Sequence, residues 1–319
     1  MQERDIGQRR KTLDPKLDIV FWMLFGAEQN RELLISLLNA VLSPAVPIEA
    51  VEVLPAQPER LAVSDKNISL DLRVRLQGGE EVDVEMQSQR RPALRERGLY
   101  YWARLYTGQL RRGDPYTALR RCVVVLITNF AELTSPRFHS VFQVRERHGG
   151  ELLTGHLELH LLELPKLASA QVQNDEPSLA LWGKFLSAGA DEELEKLAME
   201  HPVLKQAKAA LDRLSADDVA RLQAEQREMA LLTFEASIAT AREEAEQKGR
   251  QEGRQEGRQE GRQEGLAAGT AEVLLRQLTI KFGAPPPSVV ERLVGASYAD
   301  LLRWSERVLS AETLEGVFA

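Results

Sequence analysis

The stretch "SLDLRVRLQGGEEVDVEMQSQ", residues 69–89, restricts the fold most, because two alternating segments flank a pair of glycines. Its even positions are apolar: Leu70, Leu72, Val74, Leu76, Val82, Val84 and Met86. Its odd positions are polar or charged: Asp71, Arg73, Arg75, Glu81, Asp83, Glu85 and Gln87. Side chains that alternate with a period of two point to opposite faces of a β-strand. We therefore predict an antiparallel hairpin with one apolar face and one charged face.

The pairing of the two strands follows from this alternation. Opposed residues lie on the same face, so their numbers must add to an even number, which excludes a loop of only the two glycines. A three-residue loop, 77–79, opposes Asp71 to Glu85. A five-residue loop opposes Asp71 to Gln87 and leaves Glu85 diagonal to it. In either register Asp71 and Glu85 are neighbours.

Two neighbouring carboxylates need an explanation. Opposed β-carbons lie about 4.5–5.5 Å apart, so Asp71 and Glu85 would destabilise the sheet unless a proton or a cation lies between them. A hard divalent cation bound through oxygen is one solution. The alternative is a solvated strand face on which Arg73 and Arg75 offset the acids with little effect on stability. The periodicity leaves both interpretations open.

Helices are predicted on both sides of the hairpin. Asp14 followed by Pro15 is an N-cap with proline at the first helical position, and a second helical pattern runs from Arg31 to Leu42. Residues 95–112 predict a third helix. One of its faces carries Leu99, Trp102 and Tyr106, while Arg97, Arg104 and Arg111 recur every seven residues on another.

Two further strands and a helical region complete the pattern. "RCVVVLITNF" and "HLELHLLEL" predict strands, the first apolar throughout, as in a strand buried on both faces. From Pro177 onward the apolar spacing is helical. We therefore expect a mixed α/β domain that ends near Lys166, followed by helices.

The repeat "GRQEGRQEGRQEGRQEG", residues 249–265, has a period of four. Within it no glutamate lies three or four positions from an arginine, and each glycine in a helix costs about 1 kcal/mol relative to alanine. One interpretation is a flexible charged linker. The other is a helix whose row of glycines permits close crossing by a partner helix, so that the repeat and the C-terminal helices mediate self-association.

The charge distribution suggests a surface for an acidic partner. The chain carries a net charge of −7, yet residues 90–121 contain nine arginines against Glu96 and Asp114. Phosphate contacts supply most non-specific affinity for DNA, so this basic segment is a candidate DNA interface, with Arg97, Arg104, Arg111 and Arg112 as its contacts. The alternative is an exposed helix face that pairs with the acidic C-terminal half. Nothing predicts readout of base sequence.

Cysteine content and hydropathy favour a cytoplasmic location. Cys122 is the only cysteine, which excludes a disulfide framework and fits a reducing cytoplasm. The N-terminus "MQERDIGQRRK" has no apolar core of a leader peptide, and no apolar run reaches the roughly 18 residues of a membrane span. We expect a cytoplasmic protein without a membrane partner.

An aspartate at a strand end, followed on the next strand by Glu-x-Lys or Glu-x-Gln, resembles the PD-(D/E)XK nuclease core; here these are Asp71 and "EMQ", residues 85–87. Several segments occur in the order seen in recombination-promoting nucleases, or PD-(D/E)XK nuclease family transposases: "LDPKLDIVFWMLFG", "LLISLLNAVL", "DKNISLDLRV", "VEMQSQ", "YYWARLYTGQLRRGDPY" and "LLELPKL". This resemblance covers about residues 12–190. The chain from Leu266 resembles a small domain of unknown function that is often appended to such proteins.

The resemblance implies an architecture. We expect a restriction-endonuclease-like α/β fold, with a mixed sheet flanked by helices, followed by an all-α C-terminal region. The expected segments are a nuclease-like core over 12–170, an acidic helical region over 171–248, the repeat over 249–265 as linker or helix, and a small helical domain over 266–319.

The resemblance also implies hydrolysis of DNA phosphodiester bonds with Mg²⁺ or Mn²⁺ as cofactor. Asp71, Glu85 and the backbone carbonyl of Met86 would be the metal ligands. Asp18 is a candidate further acid from the first helix, although it could merely favour the dipole at that helix N-terminus.

Two positions depart from the family pattern. Gln87 stands where the second strand usually has lysine, and an amide carries no positive charge. Lys66 could substitute for that lysine, or it is a solvated loop residue. Trp22 stands where relatives commonly have lysine after Phe21.

Other readings of the chain remain. His156, Glu158 and His160 alternate along one strand, but without a cysteine or a further ligand they make a poor zinc site. The rival function is a catalytically weak DNA-binding or protein-interaction protein that keeps the nuclease fold. A transposase would need strand transfer as well as cleavage, which the sequence does not indicate.

Overall fold

The structure, a computed structural model, describes residues 11–55, 72–168 and 176–319. It contains two compact units, Met1–Phe234 and Glu235–Ala319. The four-segment division expected from the sequence is finer than these two units and stays a prediction.

The first unit is built on a six-stranded mixed sheet with the order β1-β2-β3-β4-β6-β5. Its strands are β1 (Val51–Val53), β2 (Leu72–Leu76), β3 (Glu81–Gln87), β4 (Cys122–Thr128), β5 (His139–Phe142) and β6 (Leu157–Glu163). The three central strands, β3, β4 and β6, are parallel, and the outer pairings are antiparallel.

Helices flank this sheet. They are α1 (Asp18–Phe25), α2 (Arg31–Leu42), α3 (Leu94–Gly108), α4 (Pro177–Ser187), α5 (Asp191–Glu200) and α6 (Pro202–Ala216). A long helix, α7 (Asp218–Phe282), follows, and α8 (Pro287–Val294), α9 (Tyr298–Ser310) and α10 (Leu314–Val317) end the chain. The predicted fold class, a mixed sheet with flanking helices and a helical C-terminal region, is confirmed. None of the helices in the described part of the chain is long and apolar enough to cross a membrane.

The hairpin adopts the register of the three-residue loop. Leu72 lies opposite Val84, and Arg73 lies opposite Asp83. Gly79 closes the turn with a φ of +88°, a conformation that favours glycine because a β-carbon would be strained there. Asp71 and Lys66 lie outside the described residues.

The charged face of β3 is buried, so its interpretation as a solvated face is wrong. Helix α3 packs across this face, and α1 packs against the apolar face. The acids Glu81, Asp83 and Glu85 are therefore all buried. β4 is buried along its whole length, as its apolar run predicts.

Two predicted helices differ in detail. α1 begins at Asp18 rather than Pro15, because Asp14 forms a turn in which its carboxylate accepts the Lys16 N–H and its carbonyl accepts the Leu17 N–H. α3 buries Leu94, Gly98 and Leu105. Of the predicted face, Trp102 and Tyr106 are partly buried against the same core, whereas Leu99 is 52% exposed. The strands β1 and β5 were not predicted, because three or four residues at a sheet edge carry too little periodicity. α2 spans the predicted residues.

The repeat 249–265 is helical and exposed within α7. Buried residues lie in this helix on both sides of the repeat, Ala220 and Ala224 before it and Leu274 and Leu278 after it. Helix propagation costs far less than nucleation, so a helix that is packed at both ends can continue through a glycine-rich stretch. In the second unit, Leu274 and Leu278 form a small core with Leu293, Leu301, Val308 and Val317.

Candidate active site at the end of β3

Among the hairpin acids that the structure describes, Glu85 is the most deeply buried, with 0% of its surface exposed. The Gln87 amide Nε2 donates a hydrogen bond of 2.9 Å to Glu85 Oε2. Residues two apart on a strand share a face, so β3 itself brings this carboxylate and this amide together. The predicted pair of Glu85 and Gln87 is therefore a physical contact.

Helix α3 contributes Arg97 to the same carboxylate. Arg97 Nη2 lies 3.8 Å from Glu85 Oε2. The Tyr101 hydroxyl, one turn further along α3, accepts hydrogen bonds from Arg97 Nε at 3.1 Å and Nη2 at 3.0 Å. A positive charge thus lies beside the buried Glu85, and Tyr101 holds it in place.

The other predicted arginines lie further along the basic segment. Arg104 packs over the ring of Tyr100, with its guanidinium carbon 5.9 Å from the ring centroid. Arg111 and Arg112 are exposed after the end of α3. Of the four predicted DNA contacts, Arg97 is therefore the one that the structure brings to Glu85.

Asp18, in the first turn of α1, is held by a residue that sequence reasoning missed. Arg227 Nε lies 3.0 Å from both Asp18 carboxylate oxygens, and Arg227 Nη2 also donates to Oδ2. Asp18 Oδ1 additionally accepts the Ile19 N–H at 2.8 Å, as expected for an acid at a helix N-terminus. Asp18 and Arg227 form a buried ion pair, and Arg227 is 1% exposed.

A small cavity brings these elements together at the end of β3. It is lined by Asp18, Met86, Ser88 and Gln89 as well as Gln87, Arg91 and Leu231. Its volume of about 10 Å³ is close to the space of one water molecule. The structure therefore places Asp18 at the same cavity as the "EMQ" segment. Sequence reasoning also missed Arg91, although it follows Gln87 by only four residues.

The acids nearer the loop are balanced by the hairpin's own arginines. Glu81 forms ion pairs with Arg73, at 3.3 Å, and Arg75, at 3.1 Å. The Arg75 pKa is raised, chiefly by its hydrogen bond to Glu81. The arginines of β2 therefore stabilise the start of β3, whereas Glu85 lies at the opposite end of the strand.

Two of the three predicted metal ligands, Glu85 and the Met86 carbonyl, lie side by side on β3. Glu85 and the Met86 carbonyl offer oxygen atoms, which suit a hard divalent cation. Among residues 11–55, 72–168 and 176–319, no group of three or more His, Cys, Asp or Glu side chains could hold a metal ion. Because Asp71 lies outside these ranges, the described donors fit the chemistry of the predicted site but do not complete it.

The structure keeps two residues of the candidate zinc set together and separates the third: His160 Nε2 lies 3.3 Å from Glu158 Oε2, whereas His156 contacts α3. His156 Nδ1 lies 3.0 Å from the Tyr106 hydroxyl of α3. His160 Nδ1 instead lies 2.9 Å from His139 Nε2 of the edge strand β5. Hydrogen bonding to His160 is the largest cause that lowers the Glu158 pKa, to about 2.

Trp22, at the position where the family resemblance implies lysine, lies on the outer side of α1. Phe21 is buried against Phe25, with ring centroids 4.6 Å apart, and Trp22 is partly exposed. A lysine at position 22, as the family resemblance implies, would therefore also lie at the surface.

Comparison with known proteins identifies one family. The family described as PD-(D/E)XK nuclease family transposase matches residues 15–241. No curated protein and no solved structure matches the chain significantly. The matched range includes both partners of the ion pair between Asp18 and Arg227.

Proposed function

We propose, from the premise that this chain belongs to the PD-(D/E)XK nuclease family transposases, that it is a metal-dependent DNA endonuclease with little sequence preference. One observation carries the proposal: Glu85 is fully buried at the end of a central strand and contacts Gln87 and Arg97. Burying a carboxylate costs several kcal/mol, so such an acid marks a candidate functional site.

Asp71, Glu85 and the Met86 carbonyl are the proposed ligands of Mg²⁺ or Mn²⁺. The pairing of Leu72 with Val84 supports this set, because the same register continued by one residue opposes Asp71 to Glu85. When bound, the cation would acidify a water molecule and offset charge on the phosphate. The Gln87 amide would orient the Glu85 carboxylate through its hydrogen bond.

Asp18 is proposed to orient the attacking water. It lines the cavity that has room for about one water molecule, at the end of the strand that carries Glu85. Arg227 holds the Asp18 carboxylate in one orientation. Lys66 remains a sequence-based candidate for a positive charge at the phosphate.

DNA is proposed to bind along the basic segment. Arg104, Arg111 and Arg112 would contact phosphates. Arg97 would contact both the DNA and the buried Glu85. Binding should therefore weaken steeply as the salt concentration rises.

A plasmid-nicking assay with Mg²⁺ or Mn²⁺ tests the proposal. The wild-type protein should nick supercoiled DNA, while Asp71→Asn and Glu85→Gln should each abolish nicking. Glu192→Gln is the matched control, because Glu192 is an exposed acid of α5. Nicking that survives in both active-site variants would contradict the assignment.

The second candidate is a DNA-binding protein that retains the fold with little catalysis. The neutral amide of Gln87, bonded to Glu85, favours it, because that position contributes no positive charge. This function would be identified if the wild-type protein binds DNA without nicking it and if Glu85→Gln binds DNA with the same affinity. A transposase would in addition join a cut DNA end to a second duplex in the same assay.

A further inference from the structure

Arg91 lies beside the proposed active site without a role in it so far. It lines the cavity that also contains Asp18 and Gln87, and its side chain is half-buried. The guanidinium lies over the ring of Phe234, with its central carbon 5.6 Å from the ring centroid. The backbone after β3 and the ring of Phe234 therefore fix the position of this charge.

The neighbouring cations each have an acid. Arg227 binds Asp18, and Arg97 lies beside Glu85. Within the described part of the chain, Arg91 forms no ion pair with a carboxylate. Burial lowers the pKa of Arg91, and repulsion from Arg97 and Arg227 lowers it further, while attraction to Asp18 offsets this only in part.

Of these three arginines, Arg91 lines the cavity, and it is the one without a carboxylate partner in the described part of the chain. A partly desolvated cation among other cations is unfavourable until a negative charge approaches it. We propose that Arg91 binds a phosphate oxygen of the DNA at the cleavage site, an inference that rests on the proposed nuclease function. Arg91 thereby supplies the positive charge that the neutral Gln87 does not.

The size of the cavity defines where the phosphate binds. A volume of about 10 Å³ admits about one water molecule and excludes a phosphate group. In this proposal the phosphate therefore contacts Arg91 outside the cavity, and the cavity itself holds one water molecule. A planar guanidinium can donate two parallel hydrogen bonds to a phosphate, which a lysine cannot reproduce.

Single-turnover nicking of plasmid DNA tests this role with Arg91→Gln and Arg91→Lys. A lost hydrogen bond to a charged group predicts a rate about tenfold to a hundredfold lower for Arg91→Gln. Arg91→Lys keeps the charge and should lose about threefold to tenfold. The control is Arg137→Gln, which removes an exposed arginine and should leave the rate unchanged. Lys66→Gln, measured in the same assay, shows whether Lys66 rather than Arg91 supplies the positive charge at the phosphate.

A second measurement separates this inference from the nuclease function. Binding of a fluorescein-labelled duplex, followed by anisotropy without divalent metal, should be about tenfold weaker for Arg91→Gln than for Arg137→Gln. If the wild-type protein binds with this dependence but never nicks DNA, the nuclease function fails and the anion site stands. If it nicks DNA and both Arg91 variants match the wild type in rate and binding, the inference fails alone. Thermal unfolding of each variant verifies that it is folded. If Arg91→Gln does not fold, the rate and binding of Arg91→Lys test the inference.

Discussion

Arg227 contacts both carboxylate oxygens of Asp18 across 209 positions of sequence, and both side chains are buried. The ion pair joins the first helix of the sheet unit to the start of α7. Residues after the predicted end of the nuclease core thus complete the proposed site.

Arg227→Ala should destabilise the protein strongly. It leaves the Asp18 carboxylate buried without its cation, which typically costs about 3–5 kcal/mol. Urea unfolding measures the free energy. The double variant Asp18→Leu with Arg227→Met removes both charges and should recover much of the loss. A loss below about 1 kcal/mol for Arg227→Ala would show that the pair is not buried as described.

Gly98→Ala should destabilise the packing of α3 on the sheet. A β-carbon at Gly98 would lie 2.7 Å from Leu159 Cδ1 and 3.1 Å from Leu126 Cδ1, so the side chains beneath must shift. Overpacking of this kind costs about 1–3 kcal/mol. Gly108 ends the same helix with nothing within 4 Å of its β-carbon position, so Gly108→Ala is the matched control. Equal unfolding free energies for the two variants would refute the close approach of α3.

Glu158 should stabilise the fold in a defined pH range. Hydrogen bonds from His160 and Gln143 and the nearby Arg121 lower its pKa from 4.5 to about 2. Stabilisation by a carboxylate of lowered pKa is fully present above 4.5 and is lost as the pH falls towards 2. The difference in unfolding free energy between wild type and Glu158→Gln should therefore be constant above pH 5.5 or so and shrink below about pH 4.5. A difference that does not change with pH would contradict the lowered pKa.

The glycine repeat gives a separate test of the predicted self-association. Nothing in the described chain lies within 4 Å of a β-carbon at Gly253 or Gly257, so Gly253→Ala with Gly257→Ala should stabilise the helix by about 1 kcal/mol per site. If a second copy crosses closely at these glycines, light scattering should give at least twice 35.8 kDa for the wild type and a lower mass for the variant. Equal masses would exclude that crossing.

Sequence periodicity predicted those features of the fold that depend on residues close together in the chain. The alternation in the hairpin predicted which residues share a face, but it left the registers of a three-residue and a five-residue loop open, and the structure has the three-residue loop. The same alternation could not show that α3 covers the charged face, since burial of Glu85 depends on a helix elsewhere in the chain. The ion pair of Arg227 with Asp18 could not be predicted for the same reason, because an arginine in an amphipathic helix carries no local signal that identifies a buried partner.

We propose that Asp71 and Glu85 hold a divalent cation together. Isothermal titration with Mn²⁺ measures this directly in the full-length chain, without DNA and without turnover. The wild type and Glu192→Gln should bind Mn²⁺, and both Asp71→Asn and Glu85→Gln should lose at least about tenfold in affinity, as expected when a metal ligand is removed. Unchanged Mn²⁺ affinity in both active-site variants would contradict a shared cation site.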